Sequence, residues 1–350
     1  MGGLNMKAIF CFDGTCNDPE DSGDFFEDSS VSNILKMHAF LGGVLNPLNE
    51  ENAKTSGQRS FYYSGIGTRG SWLKQKFNSM FAPPEGDMDD ILDEADENLR
   101  ELELEAEDEV YIFGFSRGAA IARMFAAHIG RRVDFLGVFD TVAATRGSLD
   151  LNPDTYPASG IVFENGTIGD HVKRAVHVVS IDEKRIAFQP TLFNNDKRVT
   201  EVWFAGVHSD VGGGFWFDGL SDITLEFMLA SVRDDLTVLD IKEIEYDRLK
   251  VRGAQDAICF DDLNINPLFN GKIHEQKRSG VGAKTLSPRL VRVNENDLPT
   301  QRSVPIIHHT VSQRFHKVTA YRPYALRDTA FSIVDADGKV GKEIKGVPSL

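Results

Sequence analysis

Short, nearly continuous apolar runs alternate along the chain with segments whose apolar residues recur every three or four positions. Residues 7–12 (KAIFCF) form the first run and stop at Asp13-Gly14-Thr15, which predicts a buried strand ending in a tight loop. Ile34, Leu35, His38 and Leu41 share one helical face, with Ser32 as a cap and Gly42-Gly43 as a stop. Residues 59–66 (RSFYYSGI) predict a second strand. After Pro83-Pro84, Met88, Ile91, Leu92, Ala95, Leu99 and Leu102 keep a 3.6-residue period through an acidic segment, so a helix follows whose charged face meets solvent. Residues 109–115 (EVYIFGF) predict a third strand, and Ser116-Arg117-Gly118 leads into an alanine-rich helix stopped at Gly130. Further strands at 133–139, 175–181 and 201–207 each deliver a polar residue at the C-terminal tip: Asp140, Asp182 and His208. Residues 221–236 read as a capped amphipathic helix.

Strands alternating with helices, and apolar on both faces, predict an α/β fold: a mostly parallel sheet covered by helices on both sides. Residues 1–237 are read as this core. Residues 144–172, with Pro153, Pro157 and several glycines between two core strands, are read as a cap. Residues 238–350, where the pattern weakens, are read as a C-terminal extension packed on the core, with a final hairpin around Asp335-Ala336-Asp337-Gly338.

Composition narrows the partners. The 350 residues carry 38 Lys+Arg against 53 Asp+Glu, a net charge of −15, which argues against nucleic acid because phosphate binding needs clustered positive charge. With 41% hydrophobic and 26% charged residues the chain has the composition of a soluble globular protein able to bury a large core. Cys11, Cys16 and Cys259 are too few and too scattered for a disulfide framework or a structural zinc. No apolar run of about eighteen residues occurs, and the first residues lack the zones of a signal peptide. Gly2 is no myristoylation signal, because position 6 is Met6. The chain is expected to be made in the cytoplasm, with no transmembrane segment.

The chemistry centres on Gly114-Phe115-Ser116-Arg117-Gly118, a G-x-S-x-G between a predicted strand and a predicted helix, the setting of the nucleophile elbow of α/β-hydrolases. A serine hydroxyl needs a base to take its proton and an acid to orient that base. The chain order Ser, acid, His is met by Ser116, then Asp140 or Asp182, then His208. His128, His171 and His177 fall inside elements or loops, and His308 and His309 are weaker candidates for the base. Asp210, two residues after His208, invites a metal-ligand reading. A hydrolase triad needs no metal, so Asp210 is read as bracing the loop, and no metal or cofactor is expected. The segment Phe12-Asp13-Gly14-Thr15 resembles the D-x-D-G-T of haloacid-dehalogenase-type phosphatases, but Cys11 stands where their nucleophilic aspartate belongs. Read instead as the loop supplying oxyanion donors, it would offer the N–H groups of Gly14 and Thr15 beside that of Arg117, with Asp13 shaping the loop. Each such donor stabilises the tetrahedral intermediate by about 3–4 kcal/mol.

In order along the chain, FDGTCN (12–17), SNILK (32–36), FYYSGIGT (61–68), GFSRGAAIAR (114–123), FLGVFDTVA (135–143), VSIDEKRIAFQP (179–190), EVWFAGVHSDVGGGF (201–215) and LSDITLEFML (220–229) resemble the uncharacterised α/β-hydrolase domain family that includes phospholipase effectors of bacterial type VI secretion. The resemblance implies a Ser-Asp-His triad of Ser116, Asp140 and His208, and phospholipid or another lipid ester as substrate. An effector role would add export by a type VI system and a secretion or immunity partner. Asp140 is preferred over Asp182, which Glu183, Lys184 and Arg185 follow in what reads as a charged surface network. Two alternatives remain: a soluble esterase or deacylase acting on a small or conjugated ester, and a non-catalytic interaction protein that retains the fold.

Overall fold

In the computed structural model, which describes residues 5–14, 29–45, 53–64, 85–142, 166–217, 219–249, 258–275 and 286–347, the apolar runs become strands and the periodic segments become helices. The chain begins with β1 (Lys7–Phe12), β2 (Ser29–Ser32), α1 (Asn33–Phe40) and β3 (Gln58–Tyr63), followed by α2 (Glu85–Glu101), β4 (Glu109–Phe115), α3 (Ser116–His128) and β5 (Phe135–Phe139). It continues through β6 (Ala175–Ser180), β7 (Val199–Phe204), α4 (His208–Gly212), β8 (Gly213–Phe215) and α5 (Gly219–Val232). The last third contributes α6 (Phe260–Leu263), the pair β9 (Val293–Glu295) and β10 (Leu298–Thr300), then β11 (Ile306–His308), α7 (His309–Lys317), β12 (Ala330–Val334) and β13 (Ile344–Lys345).

Among the described residues one nine-stranded sheet runs β13-β12-β11-β7-β6-β5-β4-β1-β3, and only the β12–β13 pairing is antiparallel. Both faces are buried. Ile9, Cys11, Tyr111 and Phe113 pack with Ile34 and Met37 of α1 and Leu225 and Met228 of α5. Their neighbours Ala8, Phe10, Val110 and Ile112 pack with Ile91 and Ala95 of α2 and Ala122 and Phe125 of α3. Alternate residues of one strand therefore meet opposite helical layers, which is why these strands read as unbroken apolar runs. On α2, Met88, Ile91, Leu92 and Ala95 are buried and Asp89, Asp90, Asp93 and Glu97 are exposed, the split expected of an amphipathic surface helix. None of the described helices is long and apolar enough to cross a membrane.

The structure departs from the sequence pattern in three places. β7 stops at Phe204 rather than running to 207, because Gly206 takes φ +120° and donates its N–H to Asp182 at 2.8 Å. Of the expected cap, only 166–172 lies within the described residues. That end sits away from the strand tips, since Val172 bridges Val133 at the N-terminal side of β5. The C-terminal third, expected as an extension on the core, enters the sheet itself: Ile306 and Ile307 pair with Val202 and Trp203 of β7. Trp203 is then buried among Ile307, Val311, Tyr321, Leu326 and Phe331. Three-residue strands such as β11 are too short to announce themselves by periodicity.

Candidate active site

The adjacent parallel strands β4, β5, β6 and β7 end on one edge of the sheet, with Phe115 beside Phe139, Phe139 beside Val178, and Ser180 beside Phe204. Open α/β sheets bind ligands at this edge. Ser116 leaves β4 and opens α3 with φ +58°, and Asp140 leaves β5 with φ +40°. Side chains other than glycine rarely adopt such values, and strain of this kind collects at functional sites. The two glycines of the motif let the turn close. A Cβ on Gly114 would collide with the backbone of Gly118 and Ala119, and one on Gly118 with the carbonyls of Phe12 and Asp13.

The structure joins Asp140 to His208 and sends Asp182 elsewhere. Asp140 Oδ2 lies 2.5 Å from His208 Nδ1. Because a carboxylate only accepts, Nδ1 carries the proton, and in the neutral ring that burial favours Nε2 presents its lone pair. Asp140 is completely buried, and its remaining acceptor positions are filled by Arg289 Nη1 (2.6 Å to Oδ1), Arg289 Nη2 (2.8 Å to Oδ2) and the Ser180 N–H (2.9 Å to Oδ1). Burial alone would raise its carboxyl, but Arg289 and His208 outweigh that and hold it well below the usual carboxylate range. Asp182 instead accepts from the Gly206 N–H (2.8 Å) and the Tyr321 hydroxyl (3.0 Å), and burial pushes it up to about 6.

His208 begins α4, and its ring packs 4.7 Å from that of Phe115 and 5.0 Å from that of Phe188, centroid to centroid. Burial lowers its pKa, against the pull of Asp140. Its Nε2 is buried and has no hydrogen-bond partner among the described residues, so the bond to Ser116 Oγ is not made in this state. Ser116 is nonetheless tied to the same cluster: it follows Phe115, and its carbonyl accepts from the Val142 N–H at 3.2 Å, two residues beyond Asp140.

The expected charged surface network after Asp182 is only partly at the surface. Lys184 pairs with Glu275 in solvent, but Glu183 and Arg185 are buried against each other at 3.0 Å, and Glu183 Oε2 accepts from the His208 N–H at 3.2 Å. Asp210 braces the loop, accepting from the N–H groups of Val207 (2.9 Å) and His274 (3.1 Å) and meeting His274 Nδ1 at 2.6 Å. Among the described residues no group of three His, Cys, Asp or Glu could hold a metal ion.

On the other side of Ser116, Gly14 approaches so closely that a Cβ there would lie 3.0 Å from Ser116 Cβ. Its N–H donates to Asp13 Oδ1 at 2.7 Å, so Gly14 is not the open oxyanion donor the sequence suggested: the short Asp13 side chain folds back onto the next N–H. Thr15 lies outside the described residues. Asp13 also accepts from Ser32 Oγ (2.5 Å) and the Tyr62 hydroxyl (2.6 Å), which ties this loop to α1 and β3, and burial raises its pKa. Arg117 sits in the first turn of α3, where N–H groups point out of the helix end.

The remaining histidines lie elsewhere. His128 pairs with Asp96 at the surface, His171 donates to the Ala126 carbonyl, and His308 stacks on Phe204, where burial pushes its pKa down to about 3. The His309 ring lies tilted against that of His308, 4.3 Å between centroids. His177 supports the site from beneath: Nδ1 bonds Glu201 and Nε2 accepts from the N–H of Thr141, the residue after Asp140. Sequence reasoning missed Arg289, Glu183 and His274, because each reaches the site only through tertiary contact.

A model of the type VI secretion (T6SS) phospholipase effector Tle1-like catalytic domain matches residues 6–132 and 127–231. The chain belongs to this family. The Tle1-like match ends before His274, Arg289 and Tyr321, which come from the last third. Among curated proteins, the uncharacterized protein YEL023C of Saccharomyces cerevisiae is 34% identical over 138 residues, covering 36% of this chain and 17% of that protein. Among solved structures, an uncharacterized protein from Pseudomonas aeruginosa aligns at 20% identity and TM-score 0.41 over 76% of this chain and 49% of that one. The Tle1 effector bound to the VgrG spike of the type VI secretion system aligns at 24% identity and TM-score 0.40, covering 61% and 51%. The Tle1-like chain thus spans about half the length of these two solved chains and 17% of the yeast protein.

Proposed function

We propose that this Tle1-like chain is a serine hydrolase that cleaves the carboxylic esters of phospholipids or related lipid esters through Ser116, His208 and Asp140. The observation that carries the reading is the buried Asp140–His208 pair, which leaves Nε2 as an unpartnered acceptor on the same sheet edge as the strained Ser116 elbow. When substrate binds, Ser116 Oγ swings to Nε2, gives up its proton and attacks the acyl carbonyl. Contacts of this kind are often long in free enzymes and tighten in the complex. The oxyanion forms at the start of α3, where the Arg117 N–H and the helix dipole favour negative charge. His208 then protonates the leaving alkoxide. Water, activated by the same Nε2, releases the fatty acid and restores Ser116. Asp140 holds the imidazole in its Nδ1–H tautomer and stabilises the imidazolium as it forms. Family membership supports export by a type VI system with a secretion partner, and an immunity partner in the producing cell.

The test compares wild type, Ser116→Ala and Asp140→Asn on phospholipid vesicles by lipid mass spectrometry, with a fluorophosphonate probe in parallel. Free fatty acid from wild type only, probe labelling that vanishes in Ser116→Ala, and a fall in kcat of about 10⁴ for Asp140→Asn are expected. Labelling that survives Ser116→Ala would overturn the serine-hydrolase reading. Turnover of short acyl esters with untouched vesicles would remove the lipid substrate.

A further inference from the structure

Two buried carboxylates bracket His208, and each has its own guanidinium. Asp140 meets Nδ1 and pairs with Arg289, while Glu183 accepts the His208 N–H and pairs with Arg185. Arg289 is itself fixed: it is completely buried, and besides Asp140 it donates to the carbonyls of Ser180 (2.8 Å) and Phe188. Its fork reaches both oxygens of Asp140 across 149 positions of sequence, from beyond the stretch that the family model matches. A buried carboxylate with no partner except an imidazole tends to draw a proton onto that ring, giving an ion pair whose Nε2 is a donor and cannot accept from a serine. Arg289 supplies the counter-charge permanently, since a guanidinium does not deprotonate in proteins.

We propose that Arg289 is a positioning residue of the hydrolase site: it clamps Asp140 in the orientation that presents Oδ2 to His208 and, by balancing that carboxylate, keeps the imidazole uncharged and ready to accept the serine proton. The inference rests on the triad reading above. It gives the C-terminal third a chemical role, because the acid delivered by β5 is oriented by a residue that only this third provides.

Asp140, Glu183 and Arg185 act on His208 directly, and the other charged groups near the strand tips come from several elements. Asp140 follows β5; Asp182, Glu183 and Arg185 follow β6; Asp210 lies on α4 with His274 as its partner; Arg117 lies in the first turn of α3; and Arg289 comes from the segment before β9. Asp182 bonds Gly206 and Tyr321, and Asp210 bonds Val207 and His274, so Asp140 is the carboxylate that meets the ring. Burial and Arg185 push the imidazole toward its neutral form, in the same direction as the balance at Asp140.

The experiment has two readouts. The first is the pH dependence of kcat/KM for wild type, Arg289→Gln and Arg289→Lys. Arg289→Gln keeps donors but loses the charge, so its acid limb should move to higher pH by about one unit. Arg289→Lys keeps the charge without the two-pronged grip, so its acid limb should stay near that of wild type while its plateau falls. A merely structural role would lower activity in both variants and leave the acid limb in place, and that result would overturn the proposal. The second readout needs no activity: nitrogen NMR of His208 in Arg289→Gln should show the ring taking its second proton at higher pH than in wild type, whose ring should be neutral and protonated on Nδ1 at neutral pH. A charged ring there would also overturn it. Ester turnover that persists in Ser116→Ala would defeat the triad reading instead, and the NMR result would still report on Arg289.

Discussion

Among the described residues five non-glycine positions have positive φ, and two of them are Ser116 and Asp140, the proposed nucleophile and acid. A left-handed side-chain residue costs about 1–2 kcal/mol, so both turns are held by their surroundings: Ser116 by the packing of α3 on β1, Asp140 by Arg289, Ser180 and His208. The buried carboxylates divide by partner. Burial would raise Glu183, but Arg185 outweighs it and holds the carboxyl at about 2; its stabilising contribution is present above its ordinary 4.5 and is lost as pH falls toward 2. Among the described residues no arginine hydrogen-bonds Asp182; Arg314 pulls it down only through space, and burial outweighs this and lifts it from 3.8 to about 6. The folded chain then keeps a proton that the unfolded chain has released, so its contribution is present at low pH and is lost as pH rises through this window. Asp182→Asn should therefore lose less stability than wild type between pH 4 and 6, by up to about 3 kcal/mol. Urea midpoints measured across that range check this, and parallel curves for the two proteins would refute it.

At the scale of elements, the site depends on how closely α3 seats on β1. Gly118 faces the carbonyls of Phe12 and Asp13 with no room for a side chain, and Gly14 touches the turn from the other side. Gly118→Ala should push α3 outward, destabilise the chain by about 1–3 kcal/mol in urea unfolding, and lower kcat/KM by about a hundredfold through the displaced Ser116. An unchanged urea midpoint would mean that α3 shifts freely. Local elements were legible because their causes are local. Ser32 caps α1 by accepting from the Leu35 N–H, and Ser116 lies at a strand-to-helix turn marked by two glycines. The end of β7 was not legible, since it depends on Asp182 capturing the Gly206 N–H from the neighbouring strand.

At the scale of the whole molecule, the C-terminal third completes both the sheet and the proposed site. β11 covers the edge of β7, α7 and β12 cover Trp203, and Arg289 reaches Asp140. A chain ending at residue 237 should expose the β7 edge and the Trp203 face together and associate through them. Size-exclusion chromatography and tryptophan fluorescence are the checks: a monodisperse fragment with a buried tryptophan would show that residues 238–350 are dispensable for folding.

The sequence by itself determined the alternation of strands and helices, the burial of the sheet on both faces, the serine at the tip of β4 and the resemblance to the effector family. All of these follow from periodicity, turn chemistry and short motifs that act over a few residues. The sequence reading preferred Asp140 to Asp182, and only the tertiary structure shows which of the two meets the His208 ring. Both follow a strand, and what separates them is the company each keeps: Arg289 and the His208 ring around one, Gly206 and Tyr321 around the other. A carboxylate's role depends on the charges and donors within a few ångströms, and here those arrive from distant parts of the chain.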